Sequence, residues 1–158
     1  IEGRPEEAGL DYCLVDVGYR GVRMYIYRGS EFRNRRTVDL GLYDLEREIS
    51  ESRGVDIHVA HTHLMTDYQQ AQTLDASQEL YNRMAIEIMK SVNFYNYNNR
   101  DRSLHRICLC GGGGAILPLR ETIARMTDLE IMPDMIPGAD KLEEPWLYAR
   151  AVGCALQK

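Results

Sequence analysis

Three strand-like stretches follow one another between Asp11 and Leu40, and this order constrains the fold more than any other feature. The run Tyr12-Cys13-Leu14-Val15-Asp16-Val17 is apolar up to Asp16, as in a buried strand. Gly18-Tyr19-Arg20-Gly21 reads as a turn. Val22, Met24 and Ile26 then alternate with Arg23, Tyr25 and Tyr27, and Arg28-Gly29-Ser30 closes a hairpin. A third alternating run sets Phe32, Asn34, Arg36, Val38 and Leu40 opposite charged neighbours. Strands in direct succession with tight turns predict an antiparallel meander.

The period then lengthens. Leu42, Leu45 and Ile49 recur at helical spacing through roughly Tyr43 to Arg53. Gly54 to Thr73 shows no single period. A longer helix is predicted from about Ser77 to Tyr95, with Leu80, Met84, Ile88, Val92 and Tyr95 along one stripe, and Asn96 to Asp101 reads as a polar loop. Ile107-Cys108-Leu109-Cys110 is a short buried strand that runs into Gly111-Gly112-Gly113-Gly114. Ile116, Leu119, Ile123 and Met126 mark a further helix, Leu129 to Met132 a brief strand, Pro133 to Pro145 a loop, and Trp146 to Leu156 a last helix. A meander followed by alternating helices and strands is the ribonuclease H-like arrangement of an α/β fold.

Two loops sit directly behind buried strands, where α/β folds bind ligands. In Asp16-Val17-Gly18 the acidic side chain can hold Mg²⁺ through water, and the glycine lets backbone N–H groups approach a phosphate. A strand-end Asp that caps a turn is the competing reading. In the tetraglycine, close backbone approach combines with the start of a helix, a setting that attracts anions; a merely flexible turn is the alternative. No Lys-Ser/Thr follows the glycines, so the loop is not of the Walker type. His58, His61 and His63 form a rival cluster: in a strand, His61 and His63 would share a face and could ligate a metal, with Asp56 or Asp67 in support. Ordinary surface or half-buried histidines are the preferred reading of the three.

Composition narrows the classes. The 158 residues suit one domain with its own core. The net charge of −5 disfavours a nucleic-acid binder, so Arg20, Arg23, Arg28, Arg33, Arg35 and Arg36 read as a solvated sheet face. No apolar run reaches the roughly 18 residues of a membrane span, so no direct membrane insertion is expected. Cys13, Cys108, Cys110 and Cys154 lie inside apolar stretches, as buried reduced cysteines do, which fits a cytoplasmic setting. Ile1-Glu2-Gly3-Arg4 matches a protease recognition sequence, and no Met opens the chain. Residues 1–10 are therefore read as a linker or an expression remnant, and the chain as a piece of a longer protein.

Taken together, the two loops resemble the second half of the actin-like ATPase superfamily. Leu14-Val15-Asp16-Val17-Gly18 resembles its second phosphate motif, Ile107 to Pro118 its adenosine motif, and Tyr148 to Leu156 its closing helix. Lys90-Ser91-Val92-Asn93-Phe94-Tyr95 and Leu117-Pro118-Leu119 are similar to the PilM family of type IV pilus assembly. The resemblance implies that residues 11–158 are the second lobe, with a small-subdomain insertion at about 54–76. It implies a cytoplasmic scaffold, peripheral to the membrane through a PilN-like membrane-protein peptide, partnered by a first lobe and open to homo-oligomerisation. It further implies that ATP is held by backbone N–H groups at Gly18 and Gly111, Gly112, Gly113 and Gly114, with Asp16 on Mg²⁺ and Lys90 a candidate at the adenosine.

The phosphate motif departs from the family pattern, because Tyr19-Arg20-Gly21-Val22-Arg23 follows Gly18 where hydroxyl side chains are usual. Hydrolysis by the chain alone is not expected, and the parent is at most a weak ATPase. A small-molecule or sugar kinase of the same superfamily, or a platform that binds no nucleotide, are the alternative readings.

Overall fold

The computed structural model describes residues 11–29, 31–100 and 103–132. β1 (Asp11–Val17), β2 (Val22–Arg28) and β3 (Glu31–Val38) form the expected antiparallel meander. α1 (Leu42–Arg53), α2 (Ile57–Met65), a 3-10 segment over Tyr68–Thr73 and the long α3 (Asp75–Asn98) come next. β4 (Arg106–Cys110), a 3-10 turn at Gly112–Ala115, α4 (Leu117–Thr127) and the short β5 (Glu130–Ile131) complete the described chain. The strands lie in the order β3-β2-β1-β4-β5, with β4 parallel to both β1 and β5. The predicted loop Pro133–Pro145, the closing helix Trp146–Leu156 and Cys154 lie outside the described residues.

Strand parity sorts the side chains. Cys13, Val15 and Val17 of β1 and Val22, Met24 and Ile26 of β2 are fully buried. They share one core with Leu45 and Ile49 of α1, Met84 and Ile88 of α3, and Ile123 of α4. The alternate residues Tyr12, Leu14, Tyr25 and Tyr27 are half-buried on the other face, where Tyr12 stacks on Tyr27 at 5.4 Å between ring centres. Burial, then the neighbouring Tyr27 and Cys108, push the Tyr12 phenol up to about 12. Burial likewise pushes the Cys13 thiol up, so it remains a protonated core side chain. Cys108 and Cys110 are buried too, as their place in a strand led us to expect.

Two expectations need correction. β3 was expected to alternate evenly from Phe32 to Leu40, but Tyr27 pairs with Phe32 while Ile26 pairs with Asn34. The register shift is a bulge at Arg33, and it moves Phe32 to the face opposite Asn34 and Arg36. The polar residues after Tyr95 do not end the helix there: α3 runs on to Asn98. Asn98 and Asn99 donate their side-chain amides to the carbonyls of Phe94 and Tyr95, both at 2.8 Å, and so replace the N–H donors a last helical turn lacks. Asn96 bonds Leu104 through both its amide and its carbonyl, at 3.3 and 2.7 Å, which turns the chain towards β4.

The stretch without a period folds as α2 and the 3-10 segment, in which Gln69 and Gln70 adopt left-handed conformations. α2 buries only Ala60 and Leu64, a stripe too narrow to show in the sequence. It starts at Asp56, whose carboxylate accepts from the His58 N–H at 2.8 Å. Arg53, in the last turn of α1, donates to the carbonyls of Tyr68 and Gln69, each at 2.9 Å, and fixes the irregular segment.

A buried junction joins the start of β1 to α3. The Asp11 carboxylate, inside the core, accepts from Arg28 Nε at 3.1 Å and from the Tyr95 hydroxyl at 2.9 Å. Tyr81, about four turns upstream on α3, is fully buried as well, yet its hydroxyl has no hydrogen-bond partner among the described residues. The nearby Ser77 hydroxyl donates its proton to the carbonyl of Ala71 at 2.9 Å. Burial, then the charge of Asp67, push the Tyr81 phenol up, against a downward pull from Ser77. The same substitution should therefore have opposite outcomes at the two sites. Tyr95→Phe removes a charge-assisted bond and lowers unfolding free energy by about 1.5–3 kcal/mol, while Tyr81→Phe leaves it unchanged or raises it by about 1 kcal/mol. Urea denaturation of both variants reads this directly; equal losses would show that the Tyr81 hydroxyl is satisfied.

Candidate functional site

The topology brings together two motifs that lie far apart in sequence. β1 and β4 are parallel neighbours, and Asp16 is in register with Cys110. Their carboxyl ends therefore lie side by side, and the tetraglycine leaves β4 directly against Asp16 and Val17. β2 leaves the other side of β1, so this is the point at which strand order diverges from the central strand, the usual place for a ligand in such sheets.

The glycine requirement has a packing cause. Gly111 has φ 79°, and a Cβ there would overlap Asp16 Oδ1 and lie 2.6 Å from the Val17 carbonyl oxygen. At Gly113 a Cβ would overlap Val17 Cγ1 and lie 2.7 Å from Val17 Cβ. At Gly112 it would meet only the tip of Leu42, with Cδ1 at 2.9 Å. The loop thus lies flat on the end of β1 and on the first residue of α1. Arg120 of α4 holds it from behind, donating to the Gly114 carbonyl at 3.2 Å.

Not every expected phosphate donor is on offer. The Gly18 N–H donates to Gly21 O at 3.0 Å inside its own turn, and the Gly114 N–H donates to Gly111 O at 3.0 Å. Gly112 and Gly113 open the 3-10 turn, and N–H groups in a first helical turn lack acceptors within it. The carbonyls of the first turn face elsewhere: Gly18 O accepts from Leu42 N at 3.1 Å and Tyr19 O from Tyr43 N at 2.9 Å, which docks the start of α1.

Asp16 is buried, and one of its carboxylate oxygens lies 3.8 Å from a guanidinium nitrogen of Arg23. Arg23 did not stand out in the sequence reading. It could have been found from hairpin symmetry, since closing the turn with the pair Val17 and Val22 sets Asp16 opposite Arg23. Arg20 is held elsewhere, its guanidinium 4.5 Å from the ring centre of Tyr43 and 5.5 Å from that of Tyr19. Lys90 is an exposed residue of α3 whose ammonium pairs with Glu87 at 2.7 Å. No contact brings Lys90 to the glycine loop.

The histidines do not form the strand cluster that His61 and His63 would need, because α2 is a helix and residues two apart point to opposite sides. His61 Nδ1 lies 2.7 Å from the buried carboxylate of Glu46, and His63 stacks on Tyr68 and bonds Arg53 at 3.2 Å. Asp67, the other candidate ligand, accepts from the Gln72 N–H at 2.9 Å. Among the described residues no group of three or more His, Cys, Asp and Glu side chains could hold a metal ion. No helix among them is long and apolar enough to cross a membrane.

The loop geometry sets an order of tolerance. Gly111→Ala and Gly113→Ala should each cost about 1–3 kcal/mol in stability, from left-handed strain or overpacking, whereas Gly112→Ala should stay close to the parent. Thermal unfolding of the three variants tests this, and equal behaviour would rule out the close seating on β1.

Comparison with known proteins agrees with this geometry. A search of curated proteins found no match. The PilM–PilN type IV pilus biogenesis complex contains a chain of similar fold, with TM-score 0.75 and 22% identity over 96% of this chain and 47% of that one. The ethanolamine utilization protein EutJ from Carboxydothermus hydrogenoformans follows at TM-score 0.72 and 16% identity, covering 94% of this chain and 49% of that one. An archaeal actin homolog in complex with ADP matches at TM-score 0.62 and 18% identity, over 97% of this chain and 49% of its own. The chain spans about half the length of these solved relatives. Their likeness shows the actin-like fold. The family profile described as type IV pilus assembly protein PilM matches residues 5–134, so the chain belongs to the PilM family of type IV pilus assembly proteins.

Proposed function

We propose that this chain is the second lobe of a cytoplasmic scaffold in type IV pilus assembly, and that it supplies half of an ATP site. The observation that carries the reading is the parallel register of β1 and β4, which sets the Asp16 carboxylate beside Gly111. The residues fit a Mg-nucleotide half-site: a strand-end carboxylate lies next to a loop whose first-turn N–H groups suit an anion. Gly112 and Gly113 are the phosphate donors. Gly18, Gly111 and Gly114 shape the two loops, since the N–H groups of Gly18 and Gly114 are already bonded. Asp16 serves Mg²⁺ through water, and Arg23 neutralises the carboxylate until the cation arrives. Lys90 enters only as a basic residue of α3, the helix packed against α4.

Bound Mg-ATP supplies charge and a bridge to the missing first lobe; the protein acts by contact, and closure of the lobes is the signal. A PilN-like membrane-protein peptide is the proposed partner, because a PilM–PilN complex has this fold. That partner would hold the protein at the inner face of the membrane. A platform without nucleotide is the second reading, favoured by the Arg23 pairing and by the spent N–H groups of Gly18 and Gly114.

Calorimetric titration of Mg-ATP into the full-length parent, beside Asp16→Asn, decides between them. Binding in the micromolar range that weakens ~10-fold or more in the variant, with the unfolding midpoint retained, supports the ATP-holding scaffold. No heat of binding in the intact parent leaves the platform, and multiple turnovers with a phosphoryl acceptor would instead make it a kinase.

A further inference from the structure

β1 and β2 carry a cross-strand pair of aspartate and arginine at each end of their hairpin: Asp11 stands opposite Arg28, and Asp16 opposite Arg23. The pairs lie on opposite faces of the sheet, because residues an odd number apart in a strand point to opposite sides. They also differ in how they are closed. Arg28 Nε lies 3.1 Å from Asp11, the Tyr95 hydroxyl fills the other carboxylate oxygen, and the Asp11 side chain is 1% exposed. Arg23 stays 3.8 Å from Asp16, beyond hydrogen-bond distance, and its own side chain is 39% exposed. The first pair is locked; the second leaves its guanidinium open to solvent.

The Asp16 carboxylate stands between that guanidinium and the glycine loop. Its Oδ1 lies where a Cβ on Gly111 would fall, and its Oδ2 faces Arg23. Other cationic side chains named above are held elsewhere. Arg20 sits over the rings of Tyr43 and Tyr19, Arg120 donates to the Gly114 carbonyl, and Lys90 pairs with Glu87. No Ser or Thr stands in the turn Gly18-Tyr19-Arg20-Gly21 to offer a hydroxyl to phosphate. Among these groups, Arg23 combines a place beside Asp16 with a guanidinium free to turn.

We infer that Arg23 exchanges partners: it faces Asp16 while the site is empty and turns to a phosphate oxygen when Mg-nucleotide is present. The inference rests on the nucleotide reading and adds a rule of selectivity to it. Two cations on one buried carboxylate repel each other, so Arg23 must leave Asp16 for a divalent ion to serve there. A guanidinium displaced in this way finds a strong, charge-assisted partner in phosphate. Free Mg²⁺ would have to evict Arg23 with no anion to receive it. Free nucleotide would draw Arg23 away and leave a buried carboxylate bare beside the phosphates, a costly arrangement. Arg23 therefore couples cation to nucleotide, and the empty site disfavours each alone.

The test uses the full-length parent and Arg23→Gln, with calorimetry for Mg-ATP and for ATP in EDTA, and electron paramagnetic resonance for Mn²⁺ alone. In the parent, Mg-ATP should bind ~10-fold or more tightly than ATP in EDTA, and Mn²⁺ alone should stay free at ~1 mM. Arg23→Gln should weaken Mg-ATP ~10-fold and yet bind Mn²⁺ alone, since a phosphate contact is lost and the carboxylate is uncovered. Opposite signs for the two ligands are what a merely structural arginine would not produce. Arg23→Lys keeps the charge without the fork, so it should still reject Mn²⁺ alone while losing part of the Mg-ATP affinity; it carries the test if the Gln variant unfolds early. Arg20→Gln is the control and should bind Mg-ATP as the parent does. Unchanged Mg-ATP affinity in Arg23→Gln, or Mn²⁺ still free, overturns the inference and leaves the nucleotide reading standing. No Mg-ATP binding in the intact parent overturns both.

Discussion

The contact on which the arrangement rests is the seating of Gly111 and Gly113 on the end of β1. Parallel pairing brings β4 beside β1, but only a loop without side chains can then turn across Asp16 and Val17 at van der Waals distance. Once seated, the loop fixes the start of α4 through Ile116 and is clamped from the other side by Arg120. Leu42, the first residue of α1, closes the same contact from above the turn. Three elements from separate parts of the sequence therefore converge on one backbone segment. A glycine run is often read as a sign of flexibility, and here it serves close packing.

The opposite end of the sheet is organised by polarity. Asp11 gathers Arg28 from β2 and Tyr95 from α3 in an interior position, where each bond is strengthened by exclusion of water. The carboxylate has a partner on each oxygen, so its burial is tolerable. Tyr81 shows the contrasting case of a hydroxyl retained inside with no hydrogen-bond partner among the described residues. The long α3 thus carries one satisfied and one unsatisfied phenol along the same buried stripe.

Elements with a wide apolar surface were legible in the sequence: β2, α1, α3 and α4 follow from period, and β1 and β4 from continuous apolar runs. α2 was not, because two buried residues in nine leave no detectable period. The bulge at Arg33 has no residue signature, and a single extra residue was enough to reverse the expected side of Phe32. The end of α3 was hidden by asparagines that favour loops by composition but here cap carbonyls. Of the site, Asp16 and the glycines were visible as motifs, whereas their adjacency depends on strand order. Arg23 was implicit in hairpin parity, and the loss of the Gly18 N–H to its own turn could be seen only in three dimensions.

The Gly18–Gly21 turn holds the first two residues of α1 by hydrogen bonds from Leu42 and Tyr43. α1 has 12 residues, a rod of about 18 Å, and its far end carries Arg53 with its grip on the Tyr68–Gln69 carbonyls. Glu46, midway along, holds His61 of α2. α1 is thus one continuous connection between the turn at the sheet end and the helical surface formed by α2 and the 3-10 segment.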